Sequence, residues 1–360
     1  MTDTAATPQS IDLRPEAESE VLLDVKNVEK HFKVGAGFFG GGAHTVRAVD
    51  GVSFTIAKGE TVALVGESGC GKSTTGRLVM RLLQPTSGSV MYAGDDIATL
   101  TSRQMKEHRR RLQIIFQDPY SSLDPRMSVG RIVGEGLAIH GLGAKGEDRQ
   151  NRIEALLRQV GLAPEDAAKF PHQFSGGQRQ RISIARALAT DPELIVCDEP
   201  VSALDVSVQA QILNLLKDLQ SERGLSYLFV SHDLNVVRYI ADRVCVMYLG
   251  EIVESAPTEE LFSHPTHPYT KGLLDAIPQF DSVRKVSERA GLRGEVADPS
   301  RMPSGCRFHP RCPTATPECS EVRPVLTEFR PGHSVAACPC FASSVGLPGP
   351  VRSTTEEVQA

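Results

Sequence analysis

Gly66-Glu67-Ser68-Gly69-Cys70-Gly71-Lys72-Ser73 is the stretch on which the fold turns. It fits the pattern G-x-x-x-x-G-K-[ST]. The short apolar run Thr61–Val65 leads into it, and a helical stretch from Ser73 to Leu83 follows, stopped by Pro85 and Gly88. Glycine lacks a Cβ, so the loop's backbone N–H groups can turn inward around phosphate oxygens. The following helix points its positive end at the same anion. Lys72 can then reach the β- and γ-phosphates of a nucleotide, and the Ser73 hydroxyl can ligate Mg²⁺. By itself the pattern is also compatible with a plain Gly-rich turn. Its place between a strand and a helix favours phosphate.

Further apolar runs lie outward from this loop. Val21, Leu23, Val25 and Val28 suggest a strand, as does Val46 to Ile56, with the glycine-rich Gly35–Gly42 between them. Ile114–Phe116, Leu194–Cys197 and Tyr227–Val230 are each short enough for a buried strand, and Val244–Tyr248 with Gly250–Val253 reads as a hairpin. Helical patterns at Ile153–Val160, Gln178–Ala189 and Val208–Glu222 separate the middle strands. Buried strands alternating with helices predict an α/β fold with a largely parallel sheet. The run Leu194-Ile195-Val196-Cys197-Asp198-Glu199-Pro200 delivers two acids to a strand end. Asp198 is placed to hold a Mg²⁺ shell, and Glu199 to polarise an attacking water as general base.

Composition bounds the rest. The 360 residues exceed one average domain and suit a large nucleotide-handling unit with an appendage. A formal net charge of -5 argues against a general nucleic-acid binder. The basic run Lys106–Arg111 has no interleaved aromatics and reads as a solvated helix face. No stretch approaches the roughly 18 apolar residues of a membrane span, and Met1 to Glu20 has neither a basic start nor an apolar run. The expectation is a cytosolic chain whose membrane role requires a membrane partner. Residues 1–20 and 343–360 read as disordered tails, 21–264 as the nucleotide-binding domain, and 265–342 as a Pro- and Cys-rich extension.

Phe174-Ser175-Gly176-Gly177-Gln178-Arg179-Gln180-Arg181 resembles the signature motif of ABC ATPases. Physically it is a second helix start carrying a hydroxyl and two bare glycine amides, suited to a γ-phosphate approached from the opposite side. The other family elements fall in order. Gln117 matches the Q-loop glutamine, Ser202-Ala203-Leu204-Asp205 the D-loop, His232 the switch histidine, and Phe32 the aromatic stacked on adenine. The resemblance spans roughly residues 21–340 and implies the P-loop NTPase fold of the ABC type: a mixed sheet core, and a helical subdomain at about 118–190. It also implies ATP with Mg²⁺, held by Gly66, Ser68, Gly69, Gly71, Lys72, Ser73, Thr74, Gln117, Asp198 and Phe32. Glu199 and His232 are then catalytic, while Ser175, Gly176, Gly177, Gln178 and Asp205 act on the ATP of a partner subunit. No hydrolysis residue is missing.

Three stretches resemble the oligopeptide and dipeptide importers within that superfamily: Phe116 to Pro125, His264 to Thr270, and Cys306-Arg307-Phe308-His309-Pro310-Arg311-Cys312-Pro313. Tyr120-Ser121-Ser122 looks like the F-type ATPase of such systems. The resemblance implies a D-type ATPase as second subunit, two membrane permeases, an extracytoplasmic peptide-binding protein, and a peripheral seat on the cytoplasmic face of the membrane. A related cargo (a nickel chelate or glutathione), a soluble ABC ATPase and a metal-sensing regulatory ATPase are the alternatives. Cys306, Cys312, Cys319 and Cys338 are spaced C-x5-C-x6-C-x18-C. Four thiolates suit zinc or an iron–sulfur cluster, and the gaps are wide for zinc. Uncoordinated structural thiols are the plainer alternative, and Cys338 and Cys340 could exchange roles. The resemblance implies a [4Fe–4S] cluster in the extension.

Overall fold

The chain opens with β1 (Val21–Val34), β2 (His44–Ala57), β3 (Thr61–Val65), α1 (Lys72–Val79), β4 (Ser87–Tyr92) and β5 (Asp95–Asp96). Next come α2 (Ser102–Arg111), β6 (Leu112–Ile115), α3 (Pro119–Ser122), α4 (Val129–His140), α5 (Glu147–Gln159) and α6 (Gly176–Leu188). The second half runs through β7 (Leu194–Asp198), α7 (Val206–Arg223), β8 (Ser226–Ser231), α8 (Leu234–Ile240), β9 (Arg243–Tyr248) and β10 (Glu251–Pro257). It ends with α9 (Thr258–Ser263), α10 (Pro268–Asp275), β11 (Val325–Arg330) and β12 (His333–Ala337). This computed structural model describes residues 20–34, 44–143, 146–277, 294, 298 and 300–338. The expected tails, apart from Glu20, lie outside the described residues, as do Gly35–Gly42 and Cys340.

The main sheet has the order β11-β12-β10-β9-β3-β8-β7-β6, parallel from β9 to β6. Every residue of β3, β7, β8 and β9 is buried, which is why these runs are largely apolar instead of alternating. Their side chains still divide with period two. Val62, Leu64, Val196 and Val230 face one core, shared with α1 and the antiparallel sheet β2-β1-β4-β5. Ala63, Val65, Ile195 and Phe229 face the other, shared with α4, α6 and α7. Between β6 and β7 the chain leaves the sheet for a helical unit, α3 to α6, in which α4 packs on α5 and α6.

Two features differ from the sequence-based expectation. Helix α1 ends at Val79, before Leu83, because Arg81 takes a left-handed φ of 52° and the Leu82 N–H closes onto the Arg77 carbonyl at 2.9 Å. The C-terminal region, read as a separate Pro- and Cys-rich extension, supplies β11 and β12 to the main sheet. There β12 pairs with β10 at Glu254↔Val335 and Ser255↔Ser334. The join is tied by Glu254, fully buried, which accepts from the N–H groups of Thr266 and His267 at 2.7 and 3.0 Å. His333 Nε2 lies 2.8 Å from the same carboxylate. The basic run lies largely exposed, as expected, with Arg111 at its end in a two-pronged pair with Glu193 at 2.8 and 2.6 Å.

Candidate active site

The parallel strands β6, β7, β8 and β3 end on the same side, so the loops that follow them converge, as ligand-binding loops of open α/β sheets do. The loop after β3 is Gly66–Gly71. A Cβ at Gly66 would stand 2.2 Å from the Met247 carbonyl oxygen, and one at Gly71 would stand 2.3 Å from that of Ala48, with φ at 149° and 108°. Both glycines are therefore steric requirements of the loop, whatever it binds. Lys72 is 5% exposed and donates from Nζ to the carbonyls of Gly66 at 2.8 Å and Glu67 at 2.9 Å. Ser73 Oγ donates to Asp198 Oδ1 at 2.7 Å. A hydroxyl and a carboxylate meeting at the loop's mouth form an all-oxygen donor set of the kind a hard divalent cation takes.

Glu199 follows Asp198 with a left-handed φ of 47°, costly backbone for a non-glycine residue. Its N–H is held by the Val230 carbonyl at 3.0 Å, so β8 fixes the turn. The carboxylate is held at both ends: Gln117 Nε2 donates to Oε2 at 2.9 Å, and His232 Nδ1 lies 3.1 Å from Oε1. The Q-loop, the two acids and the histidine thus come together although they span residues 117–232. Gly69 and Ser68 are exposed on the loop and Thr74 is half-buried in α1.

The remaining candidates lie elsewhere. Ser175 caps α6 in a reciprocal box, its Oγ accepting from the Gln178 N–H at 3.4 Å while Gln178 Oε1 accepts from the Ser175 N–H at 3.0 Å. Ser175, Gln178 and Asp205, the last at the start of α7, are exposed. A Cβ on Gly177 would meet Val208 Cγ1 at 2.4 Å, so this glycine also permits the close approach of α6 and α7. Phe32 is half-buried on β1 opposite Val46, with Lys30 Nζ 5.2 Å from its ring centre. Sequence reasoning missed two residues that hold the loop from the C-terminal side. The Tyr269 hydroxyl accepts from the Glu67 N–H at 2.9 Å, and Arg311 grips the Glu67 carboxylate at 2.6 and 3.0 Å.

Comparison with known families decides what this arrangement belongs to. Residues 49–202 match the model described as ABC transporter, and residues 253–319 the model described as Oligopeptide/dipeptide transporter, C-terminal region. A putative peptide import ATP-binding protein of Brucella ovis is 53% identical over 312 residues, which is 87% of this chain and 96% of that protein. The chain belongs to the ABC transporter ATP-binding proteins. The oligopeptide transport ATP-binding protein AppF of Bacillus subtilis is 49% identical over 324 residues, 89% of this ABC ATPase and 98% of AppF. The ATP-binding cassette MJ0796, solved as a dimer in a post-hydrolysis state with ADP and Pi, superposes with a TM-score of 0.59 at 33% identity. It covers 66% of this chain and 98% of its own. ATP and Mg²⁺ are the expected ligands of this ABC ATPase, and hydrolysis of ATP its reaction.

The four candidate cysteines fall in two separate clusters. Cys306 and Cys319 are buried, and the Cys306 N–H donates to the Cys319 carbonyl at 2.8 Å. Cys312 packs against the same core. Cys338 instead packs with Val335, Ala337 and Phe329, in a separate cluster. Among the described residues the one grouping with three candidate ligand atoms within 4.8 Å of one another is Glu29, His31 and Asp50. Arg307 and Arg323 also pair with Asp50 there. Burial alone would raise the Asp50 carboxyl, but the two arginines hold it below its usual range. Such a site is already neutralised by cations of its own. No helix among the described residues is long and apolar enough to cross a membrane.

Proposed function

We propose that this ABC ATPase powers the import of short peptides. The observation that carries the reading is the presence in one chain of the ABC cassette match and the oligopeptide/dipeptide C-terminal match. The relatives named for peptide import and for oligopeptide transport, each similar over nearly its full length, support it. The assembly we infer has this chain as the F-type subunit beside a D-type ATPase, under two permeases, at the cytoplasmic face, with an extracytoplasmic peptide-binding protein delivering cargo. Isolation of the tagged chain from membranes tests this: permeases and a peptide-binding protein should co-purify. Recovery with permeases of another solute class would overturn the cargo.

At the catalytic site Lys72 leaves its two carbonyl partners to meet the β- and γ-phosphates. Mg²⁺ supplies charge neutralisation on the phosphate oxygens, and Ser73 with Asp198 would hold it. Glu199 takes the proton of the attacking water, aligned by Gln117 and His232. The helix start at Ser175, Gly176, Gly177 and Gln178, with Asp205, serves the nucleotide of the partner subunit. Two subunits head to tail then complete each other's sites on closure. For the extension we infer a [4Fe–4S] cluster held by Cys306, Cys312, Cys319 and Cys338; its support is the four-thiol spacing C-x5-C-x6-C-x18-C in a Pro-rich segment. Iron analysis and visible absorbance of anaerobically purified protein test it. Colourless protein without iron would overturn it.

A further inference from the structure

The segment Cys306–Cys312 is seated on the body of the ATPase by three side chains. Arg307, 6% exposed as a side chain, pairs with Asp50 of β2 and stands 3.3 Å from Glu251 of β10. Phe308 fills a pocket of rings, with centroids 5.3 Å from Tyr248, 5.5 Å from Tyr269 and 5.6 Å from His267. Those two contacts fix the position of Arg311, whose guanidinium lies 5.8 Å from the Tyr248 ring and grips Glu67 with two hydrogen bonds. Arg311 is 5% exposed as a side chain, and the Glu67 hydrogen bonds hold it firmly protonated. Glu67 is the second residue of the phosphate loop. Its N–H is held by Tyr269 and its carbonyl by Lys72.

We infer that Arg311 is a positioning residue for nucleotide binding. It neutralises the one carboxylate inside the phosphate loop, and with Tyr269 it sets the Glu67 peptide on which Lys72 rests. An unpaired carboxylate in that loop would repel the triphosphate that Lys72 is there to attract. Coupling of this kind gives the C-terminal region control over ATP affinity without touching the reacting atoms. The inference rests on the reading of Gly66–Ser73 as the ATP site.

A purely structural Arg311 and a positioning Arg311 differ in one respect: only the second is rescued by removing the charge it neutralises. The test titrates a fluorescent ATP analogue into full-length wild type, Arg311→Met, Glu67→Gln and the double variant, with nucleotide-free melting temperatures alongside. Arg311→Met is expected to weaken binding about tenfold, the size of one desolvated charge contact. The double variant should return to within about threefold of wild type, although it lacks both partners of the pair. Arg330→Met, which removes an exposed pair with Glu260, should leave affinity unchanged. Unaltered binding in Arg311→Met would overturn the inference, as would a double variant no tighter than that single one. Failure of the wild type to bind the analogue, or undiminished binding by Lys72→Ala, would instead remove the site assignment beneath it.

Discussion

Replacing Glu199 with glutamine separates binding from chemistry at this site. The substitution keeps the shape of the side chain and one of its two carbonyl-type acceptors. His232 Nδ1, 3.1 Å from Oε1, can still meet an oxygen; Gln117 Nε2, 2.9 Å from Oε2, would face an amide nitrogen unless one of the two amides turns over. The structural penalty is at most one neutral hydrogen bond, about 1 kcal/mol. The metal side is untouched, because Ser73 contacts Asp198 and not Glu199. On the proposed general-base role, what is lost is a group able to take a proton, a contribution of about 10²–10⁴ in rate, or about 3–5 kcal/mol of barrier. Steady-state phosphate release by the assembled complex should therefore fall at least about 100-fold while the dissociation constant for MgATP changes less than about fivefold. A variant that keeps more than half the wild-type rate would refute the general-base role. A rate loss accompanied by an equal loss of affinity would show that Glu199 serves binding instead.

Lys72→Ala removes the cation that the loop offers to phosphate, so nucleotide affinity should drop by at least about tenfold; unchanged equilibrium binding would contradict the assignment. Ser175→Ala, mixed with a wild-type partner ATPase, should impair trapping of nucleotide at the partner's phosphate loop and spare this chain's own, as read by site-specific photolabelling. A defect confined to this chain's loop would reverse that conclusion. His267 gives a pH dependence of stability. Burial holds it neutral, with a pKa pushed down to about 4, and its Nδ1 accepts from the Tyr269 N–H at 3.1 Å. Unfolded chains protonate near 6.5, so this contribution is present above that pH and is lost as pH falls towards about 4. Between pH 7 and pH 5 the cost is about 2 kcal/mol in urea unfolding, and His267→Asn, which keeps the helix cap, should flatten the slope; an identical slope in the variant would exclude His267 as its source.

Much of the site was legible because each part is a contiguous pattern with its own chemistry. The phosphate loop needs glycines where side chains would strike Met247 and Ala48, and the strand ending in Asp198-Glu199 shows itself by an unbroken apolar run. The parallel order of the middle strands followed from that same lack of alternation. The C-terminal strands were not legible: β11 alternates only weakly between partly buried and exposed positions, and β12 is five residues long. Their place depends on a buried hydrogen-bonding contact of Glu254 and His333, 79 residues apart. Arg311 and Glu67 are separated by 244 residues, and no local spacing could announce their pairing. The motif that carries Arg311 marks the family in sequence; its role in holding the phosphate loop emerges only from the packing.

ATP hydrolysis by this chain is proposed to drive short peptides into the cell. The most direct test is uptake of a radiolabelled short peptide by proteoliposomes holding this chain with the proposed partner ATPase and permeases, supplied with the proposed binding protein outside and ATP inside. Uptake should be stoichiometrically linked to phosphate release and should vanish with Glu199→Gln. Peptide accumulation that continues with the Glu199→Gln chain, or phosphate release that peptide-loaded binding protein does not stimulate, would contradict the account.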